Sequence, residues 1–512
     1  MSLFDTRPAD RRFLGWAILF VLIGAALNSL WCIYIDDVVN NDAVEYIRAA
    51  ERFAARDWSG AFTVHQWPFF SALMWVVGRL LGISYETAGY LLNSVFFTAA
   101  SVFFVLVVHA FGGTTRRLIT LAALLAVLHP SFNEYRSFII RDAGYLAFYL
   151  VAVFFMARCV GQLTVRDAVG AVVALVIATL FRIEGAVFLL ATPLLLTAVI
   201  AKTDGGPWRR LILLVVAAFI LAVVLGWWVM APKSGLPMES VTDNPVQVVE
   251  SAWLQVLSSI SHKITVLQSE FLGPYSAEYA WALFVFAVAV LLASATLSQL
   301  SIPWAVLVFA AIWFRVRFPG KSLNRLWVSL IAMHLAILLV FTVINLFLAA
   351  RYPLALAVTI LVLAPFALDR VAEVSGWRRL GGVRRVTLLV LLVWALGESI
   401  SGLDNATRAR ALKEAGQWIA TQTQESGSVV TNDRRIAYYA GRHWDLSSIE
   451  PSVAKILHGL RDGLWPDASY VALRLSRGGT QTHDWVIEAL GAAPLRTIDE
   501  GKGDRVLIYR RP

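Results

Sequence analysis

The sequence predicts an all-α polytopic membrane protein, and three observations carry that expectation. Of 512 residues, 58% are hydrophobic and only 15% are charged, with a mean hydropathy of +0.67. A soluble chain carries about a quarter charged residues. Apolar runs that approach or exceed the roughly 18 residues needed to cross a bilayer as a helix recur from near the N-terminus to about residue 400. Basic pairs stand between these runs: Arg11 and Arg12, Arg116 and Arg117, Arg209 and Arg210. That is the pattern of cytoplasmic loops under the positive-inside rule. It accounts for the net charge of +9 without a nucleic-acid partner. A transmembrane barrel is excluded, because it needs short alternating strands instead of long continuous runs.

Taken in order, residues 13–35 make the first crossing, with Arg7, Arg11 and Arg12 holding its start inside. The segment is long and lacks a small-residue cleavage site after it, so it reads as a retained helix and not a signal peptide. An outer loop over 36–84 follows, opening with Asp36, Asp37 and Asp42. Within it Ala43, Tyr46, Ile47, Ala50, Phe53 and Ala54 recur at helical spacing, with Glu45, Arg48, Arg52 and Arg56 on the other face. This is an amphipathic helix with Asp42 at its N-terminus, where backbone N–H groups favour an anion. Residues 67–81 are apolar but bounded by Pro68 and Gly82, and read as a juxtamembrane helix.

Residues 85–111 span inward and the third crossing climbs to His129 and Pro130. The outer loop S-F-N-E-Y-R-S-F-I-I-R-D leads to 143–156 inward, 168–181 outward, the turn R-I-E-G, 186–200 inward and 211–230 outward. A second outer loop over 232–275 holds the stripe Val246, Val249, Trp253, Leu257, Ile260, Ile264, Leu267 and Phe271, suited to an interfacial helix. Residues 280–314 form two pieces split near Ser298 to Pro303, the second half-inserted, before the basic loop R-V-R-F-P-G-K-S-L-N-R. Residues 326–349 go out to Arg351, 354–368 come in, and 386–400 go out for the last time. The length criterion yields about eleven crossings, with about thirteen as an upper bound, the N-terminus inside and the C-terminus outside. The membrane domain is 1–401; residues 402–512 mix helix-like and strand-like runs and read as a small soluble α/β domain on the outer face. Cys32 and Cys159 fall on opposite membrane faces, which disfavours a disulfide or a metal site built from them. No repeat or P-loop stands out.

The chemistry-bearing residues gather at outer helix ends. Asp42 suits a general base or a metal ligand, and equally a helix cap, since D-A-V-E reads as a capping box with Glu45 reaching back. Asp142 follows Arg141 at the start of a crossing, near Glu134 and Arg136, and suits either an interfacial ion pair or a functional carboxylate. With Asp42 it could bind a divalent cation, or the two could divide base and orienting roles. Arg182 and Glu184 suit a mutual salt bridge or a site at the head of a hairpin. Arg351, beside Tyr352, lies outside against the charge bias, where a guanidinium could grip a phosphate with two parallel hydrogen bonds. His65, next to Gln66 and Trp67, suits a phosphate or sugar contact or a plain surface position, and Trp58 and Trp67 suit an interfacial belt or a sugar platform.

D-A-x-x-Y-x-x-A-A, the W-S-G turn and H-Q-W-P-F-F in the first loop, then R-D at Arg141 and Asp142, R-I-E-G, and R-Y-P-L at Arg351, come in an order and sidedness that resembles the GT-C fold membrane glycosyltransferases. The aminoarabinose transferase and dolichyl-phosphate-mannose protein mannosyltransferase group is the most similar. The tail segment V-V-T-N-D-R-R-I-A-Y-Y-A-G-R is similar to the outer domain of bacterial members. The resemblance implies that Asp42 and Asp142 are the catalytic carboxylates, with a divalent cation (Mg or Mn) a possible partner of both. It implies that Arg182 and Arg351 hold the donor phosphate; His65 is a further candidate for that phosphate from its own chemistry, with Glu45, Tyr46, Glu134, Arg141, Glu184 and Tyr352 as expected supporting residues. The expected protein is an inverting hexosyl- or pentosyltransferase of a bacterial inner membrane. It would move a sugar from a polyprenyl-phosphate donor to a glycolipid, polysaccharide or protein acceptor on the periplasmic side. A cell-envelope polymerase or ligase and a lipid-linked sugar flippase are the alternatives; the flippase would call for repeated halves and midplane charges.

Overall fold

The computed structural model describes residues 5–162, 164–200, 245–379, 382–403, 409–422, 428–441, 449–475, 483–501 and 504–511. The crossing expected over 211–230, the Arg209 and Arg210 pair and the first part of the 232–275 loop lie outside them. The described residues are mostly helical, with one small sheet. Among the described residues six helical segments are long and apolar enough to cross a membrane by length and composition: Arg11–Ile35, Tyr85–Ala110, Asp142–Gln162, Ala277–Leu300, Lys321–Asn345 and Leu354–Val371. Four shorter apolar helices fall below that length: Phe69–Leu81, Glu184–Pro193, Ile302–Trp313 and Leu389–Leu403. The expected third crossing is the 13-residue helix Arg116–Leu128, started by the Thr115 side chain, which accepts the Leu118 N–H. At 1.5 Å per residue it spans about 20 Å, less than the ~30 Å hydrocarbon layer. His129 and Pro130 end it and a short turn, Pro130–Asn133, continues the chain.

The chain divides into two compact units. One comprises Met1–Ala26, Phe96–Glu134 and Asp142–Gly402; the other comprises Leu27–Val95, Tyr135–Arg141 and Leu403–Pro512.

In the first unit, Asp142–Gln162 packs along Val165–Phe181. The approach is close enough that a Cβ on Gly144 would sit within 2.3 Å of the Phe181 ring, so only glycine fits. The split expected between Ser298 and Pro303 is a sharp break at Ser301, where the backbone turns left-handed (φ 64°) between Ala280–Leu300 and Ile302–Trp313. Carbonyls freed by the break are taken up by side chains: the Leu300 oxygen lies 3.1 Å from His129 Nε2, and the Ser131 hydroxyl donates to the Gln299 oxygen. Deeper in the unit, Tyr149 and Thr359 share a hydrogen bond at 2.9 Å, and Trp327 Nε1 donates to the Thr359 carbonyl at 2.8 Å. Arg117 is buried and ion-paired with Asp369.

In the second unit the amphipathic helix is Asn41–Ala54; of the face that the periodicity predicts it buries Ala43, Tyr46, Ile47, Ala50 and Phe53, with Val44 and Ala49 beside them, while Ala54 at the helix end is exposed. Phe53 anchors it between Trp58, at 5.2 Å, and Trp75, at 6.2 Å. The tail carries a four-stranded sheet, β1 (Ser428–Thr431), β2 (Ala468–Leu475), β3 (Arg496–Gly501) and β4 (Asp504–Arg510), in the order β1-β2-β4-β3. β1 pairs parallel with β2, and β4 runs antiparallel to both β2 and β3. Alternation sends Val429, Ala472, Val506 and Ile508 against Arg410–Thr421, and Val430, Val471, Leu473 and Leu507 against Val453–Arg461. Each face of the sheet is thus covered by a helix.

Candidate active site

Three helix termini and one turn build a polar cleft in the first unit. Asp142 is the first residue of Asp142–Gln162 and Glu184 the first of Glu184–Ile200, so both carboxylates stand where the helix dipole favours negative charge. Arg182 caps the C-terminus of Val165–Phe181, where a cation is favoured; its N–H donates to the Ala178 oxygen at 3.0 Å. Arg351 and Tyr352 lie in the turn after Lys321–Asn345, which ends in the left-handed residue Leu346 (φ 46°) and re-enters a helix through Pro353. The Arg182 guanidinium is forked between two acids: Nη1 donates to Asp142 Oδ1, while Nε at 3.0 Å and Nη2 donate to Glu184 Oε1. Arg351 Nε lies 4.0 Å from the other Asp142 oxygen, Oδ2. Both guanidinium groups face the Tyr352 ring, Arg182 at 4.8 Å and Arg351 at 5.9 Å from its centroid.

These groups line a narrow cleft with a volume of about 20 Å³, completed by Tyr145, Leu146, His334, Ile337, Leu338, Leu354 and Ala355. Its charged rim is two arginines and two carboxylates; the rest of the lining is mainly apolar. Buried charges of this kind must be paired and hydrogen-bonded to persist. Arg182 satisfies that rule for Asp142 and Glu184 at once, while Arg351 keeps a looser contact and more exposure.

In the second unit, first-loop residues converge on His65. Glu45 Oε2 lies 3.6 Å from His65 Nδ1, Arg141 Nη1 lies 3.5 Å from His65 Nε2, and the Tyr46 ring meets the imidazole edge-on at 4.9 Å. Arg434 donates to Glu45 Oε1. The His65 contact, reinforced by Arg434, holds the Glu45 carboxyl below its ordinary value despite partial burial. Asp36 is buried, accepting the Val38 N–H at 3.2 Å and the Ser137 hydroxyl at 3.3 Å, and burial pushes its carboxyl up to about 6. Asp42 lies in the first turn of Asn41–Ala54 but does not cap it. The expected capping box is corrected by the structure: the cap position is Asn40, no side chain caps the helix there, and Glu45 turns to His65 and Arg434. The Asn40 side-chain oxygen accepts the Ile139 N–H at 2.8 Å.

The structure therefore brings Asp142, Arg182, Glu184, Arg351 and Tyr352 together in one unit, and Glu45, Tyr46, His65 and Arg141 in the other. Glu134 stands in the first unit apart from the cleft lining, with Gln299 Nε2 donating to it at 3.1 Å. Sequence reasoning missed Arg434, Tyr145 and His334. For Arg434 a signal was available: N-D-R-R reads as a helix start, and Asp433 does cap Arg434–Tyr439 by accepting the Arg435 N–H at 3.1 Å. For a divalent cation the fit fails. Among the described residues no group of three or more His, Cys, Asp or Glu side chains could hold a metal ion, and both Asp142 oxygens face arginines.

No protein-family model and no curated protein matches the sequence. Solved structures do resemble it. ArnT from Cupriavidus metallidurans bound to undecaprenyl phosphate matches with a TM-score of 0.53 and 17% identity, over 96% of this chain and 98% of that one. The same protein in the apo state matches at 0.52 with 17% identity, over 96% and 98%. An oligosaccharyltransferase from Archaeoglobus fulgidus, in complex with Zn and sulfate, matches at 0.52 with 14% identity, over 92% of this chain and 70% of that one. The likeness is one of fold: this chain has the GT-C fold that its motifs resemble.

Proposed function

We propose that the protein is an inverting glycosyltransferase that takes a sugar from a polyprenyl-phosphate donor at the periplasmic face of a bacterial inner membrane. The observation that carries this reading is the cleft around Arg351: two guanidinium groups at helix ends, Arg351 just before the membrane-length segment Leu354–Val371, with a mainly apolar lining. That combination suits an amphiphile with an anionic head and a prenyl tail. Arg351 is the phosphate ligand, since its contact with Asp142 is the looser one, and its fork matches two phosphate oxygens. Arg182 adds positive field while holding Asp142 and Glu184 in place. Of the two roles open to Asp142, orienting the arginines fits its ion pairs better than accepting a proton. The acceptor's base is assigned to Asp42 on the family resemblance. The acceptor oxygen attacks the anomeric carbon, the bond from that carbon to the phosphate oxygen breaks, and the lipid phosphate leaves as an anion that Arg351 stabilises. No step is routed through a metal. Glycolipid, polysaccharide and protein all remain candidate acceptors.

The test is to supply radiolabelled polyprenyl-phosphate sugars to purified, reconstituted protein. Label transferred to an added acceptor supports the reading. Growth of a polymer would select the polymerase alternative, and movement across the bilayer without transfer would select the flippase.

A further inference from the structure

Beside the charged rim, the same cleft carries two polar atoms with no hydrogen-bond partner among the described residues. They are the Tyr145 hydroxyl and His334 Nε2, on side chains whose residues are 6% and 5% exposed. Tyr145 follows Asp142 by three residues, about 4.5 Å along the helix axis. The His334 ring meets two aromatic rings, 4.9 Å from Tyr149 and 4.5 Å from Phe188, the latter one turn after Glu184. Buried polar atoms in native proteins are nearly always bonded, so two orphans in one cleft wall point to a group that arrives from outside. Ionisable residues within membrane helices carry the same implication.

We infer that Tyr145 and His334 form a second rung of the donor site, donating hydrogen bonds to phosphate oxygens from the side of the prenyl chain. This rests on reading the cleft as the donor-phosphate site. The two arginines supply charge at the rim, and the hydroxyl and imidazole N–H groups supply directed donors beside the apolar Leu146 and Leu338. A sugar is the weaker fit, because in a lipid-linked donor it lies on the other side of the phosphate, toward water. The pair positions the leaving group; neither residue is assigned a proton transfer.

The test measures binding of radiolabelled undecaprenyl phosphate to detergent-purified wild type, Tyr145→Phe, His334→Phe and Arg351→Ala. Undecaprenol and inorganic phosphate serve as competitors, and thermal unfolding is followed in parallel. Each aromatic variant should bind roughly tenfold or more weakly, the usual worth of a hydrogen bond to a charged group. Its melting temperature should be unchanged or higher, since the substitution removes an unpaired buried polar atom. Undecaprenol should not compete, and inorganic phosphate should compete only weakly. Wild-type affinity in both aromatic variants, with Arg351→Ala impaired, would overturn the rung and leave the cleft assignment standing. Wild-type affinity in all three variants would remove both. Displacement by inorganic phosphate as effective as by the lipid would overturn the lipid assignment. A fall in melting temperature that tracks the loss of affinity would make the pair structural, which also overturns it.

Discussion

The guanidinium of Arg182 lies over the Tyr352 ring, 4.8 Å from its centroid, while its N–H groups are divided between Asp142 and Glu184. One side chain thus joins two helix N-termini to the turn that carries Arg351. Its removal would take the shared guanidinium away from buried Asp142 and half-buried Glu184. Arg182→Ala should lower stability by about 3–5 kcal/mol, the usual cost of breaking a buried pair from one side. Thermal unfolding in detergent is the readout, and a change below about 1 kcal/mol would show that the cluster is solvated.

Arg351 should behave differently. Its ion pair is longer and it is more exposed, so Arg351→Lys should leave the melting temperature nearly unchanged. A lysine retains the charge but loses the fork, so donor binding should weaken by about 1–3 kcal/mol. Isothermal binding of the lipid-linked donor measures this, and unchanged affinity would take Arg351 out of the site.

Asp42→Asn separates a chemical role from a structural one. Asp42 sits in the first turn of Asn41–Ala54, and Asn40 holds the cap position, so the substitution removes a favourable dipole contact of about 0.3–1 kcal/mol while keeping a side-chain oxygen of the same reach. Asparagine accepts no proton at neutral pH, so the assigned base role predicts a turnover loss of roughly 10²–10⁴-fold. A well-folded variant with normal turnover would move the base elsewhere.

Asp36 should make stability depend on pH. Its carboxyl is raised from 3.8 to about 6 by burial, against the opposing pull of the Val38 and Ser137 hydrogen bonds and of Arg435. Because the folded value lies above the unfolded one, the protonated form favours the fold. That contribution is complete below about pH 4 and is lost as pH rises through about 6. Asp36→Asn should flatten this part of the profile and stabilise the protein at pH 8 by on the order of 2 kcal/mol. Parallel unfolding curves at pH 5 and pH 8 check it, and identical pH dependence in both proteins would refute the assignment.

Much of this was legible in the sequence because it is periodic or punctuated. The buried face of Asn41–Ala54 follows from spacing alone, and the break at Ser301 from the interruption of an apolar run. The crossing count was less legible. Arg116–Leu128, apolar for the most part after its two leading arginines, and Ile302–Trp313, apolar throughout, stop at 13 and 12 residues because His129 with Pro130 and Phe314 with Arg315 turn the chain. Charged residues at helix ends announced themselves by breaking the positive-inside pattern, as Arg351 does. Tyr145 and His334 gave no such sign. Each lies within an apolar stretch of its helix, and only the fold shows that they share a wall with Arg182.

The most direct measurement is photo-crosslinking with undecaprenyl phosphate carrying a diazirine in its first prenyl unit, followed by peptide mass spectrometry. Adducts should fall on Leu146, Leu338 or Leu354 in the cleft, and should disappear in Arg351→Ala and on competition with unlabelled lipid. Labelling confined to other helices, or cleft labelling unchanged in Arg351→Ala, would contradict the claim that this cleft holds the donor phosphate.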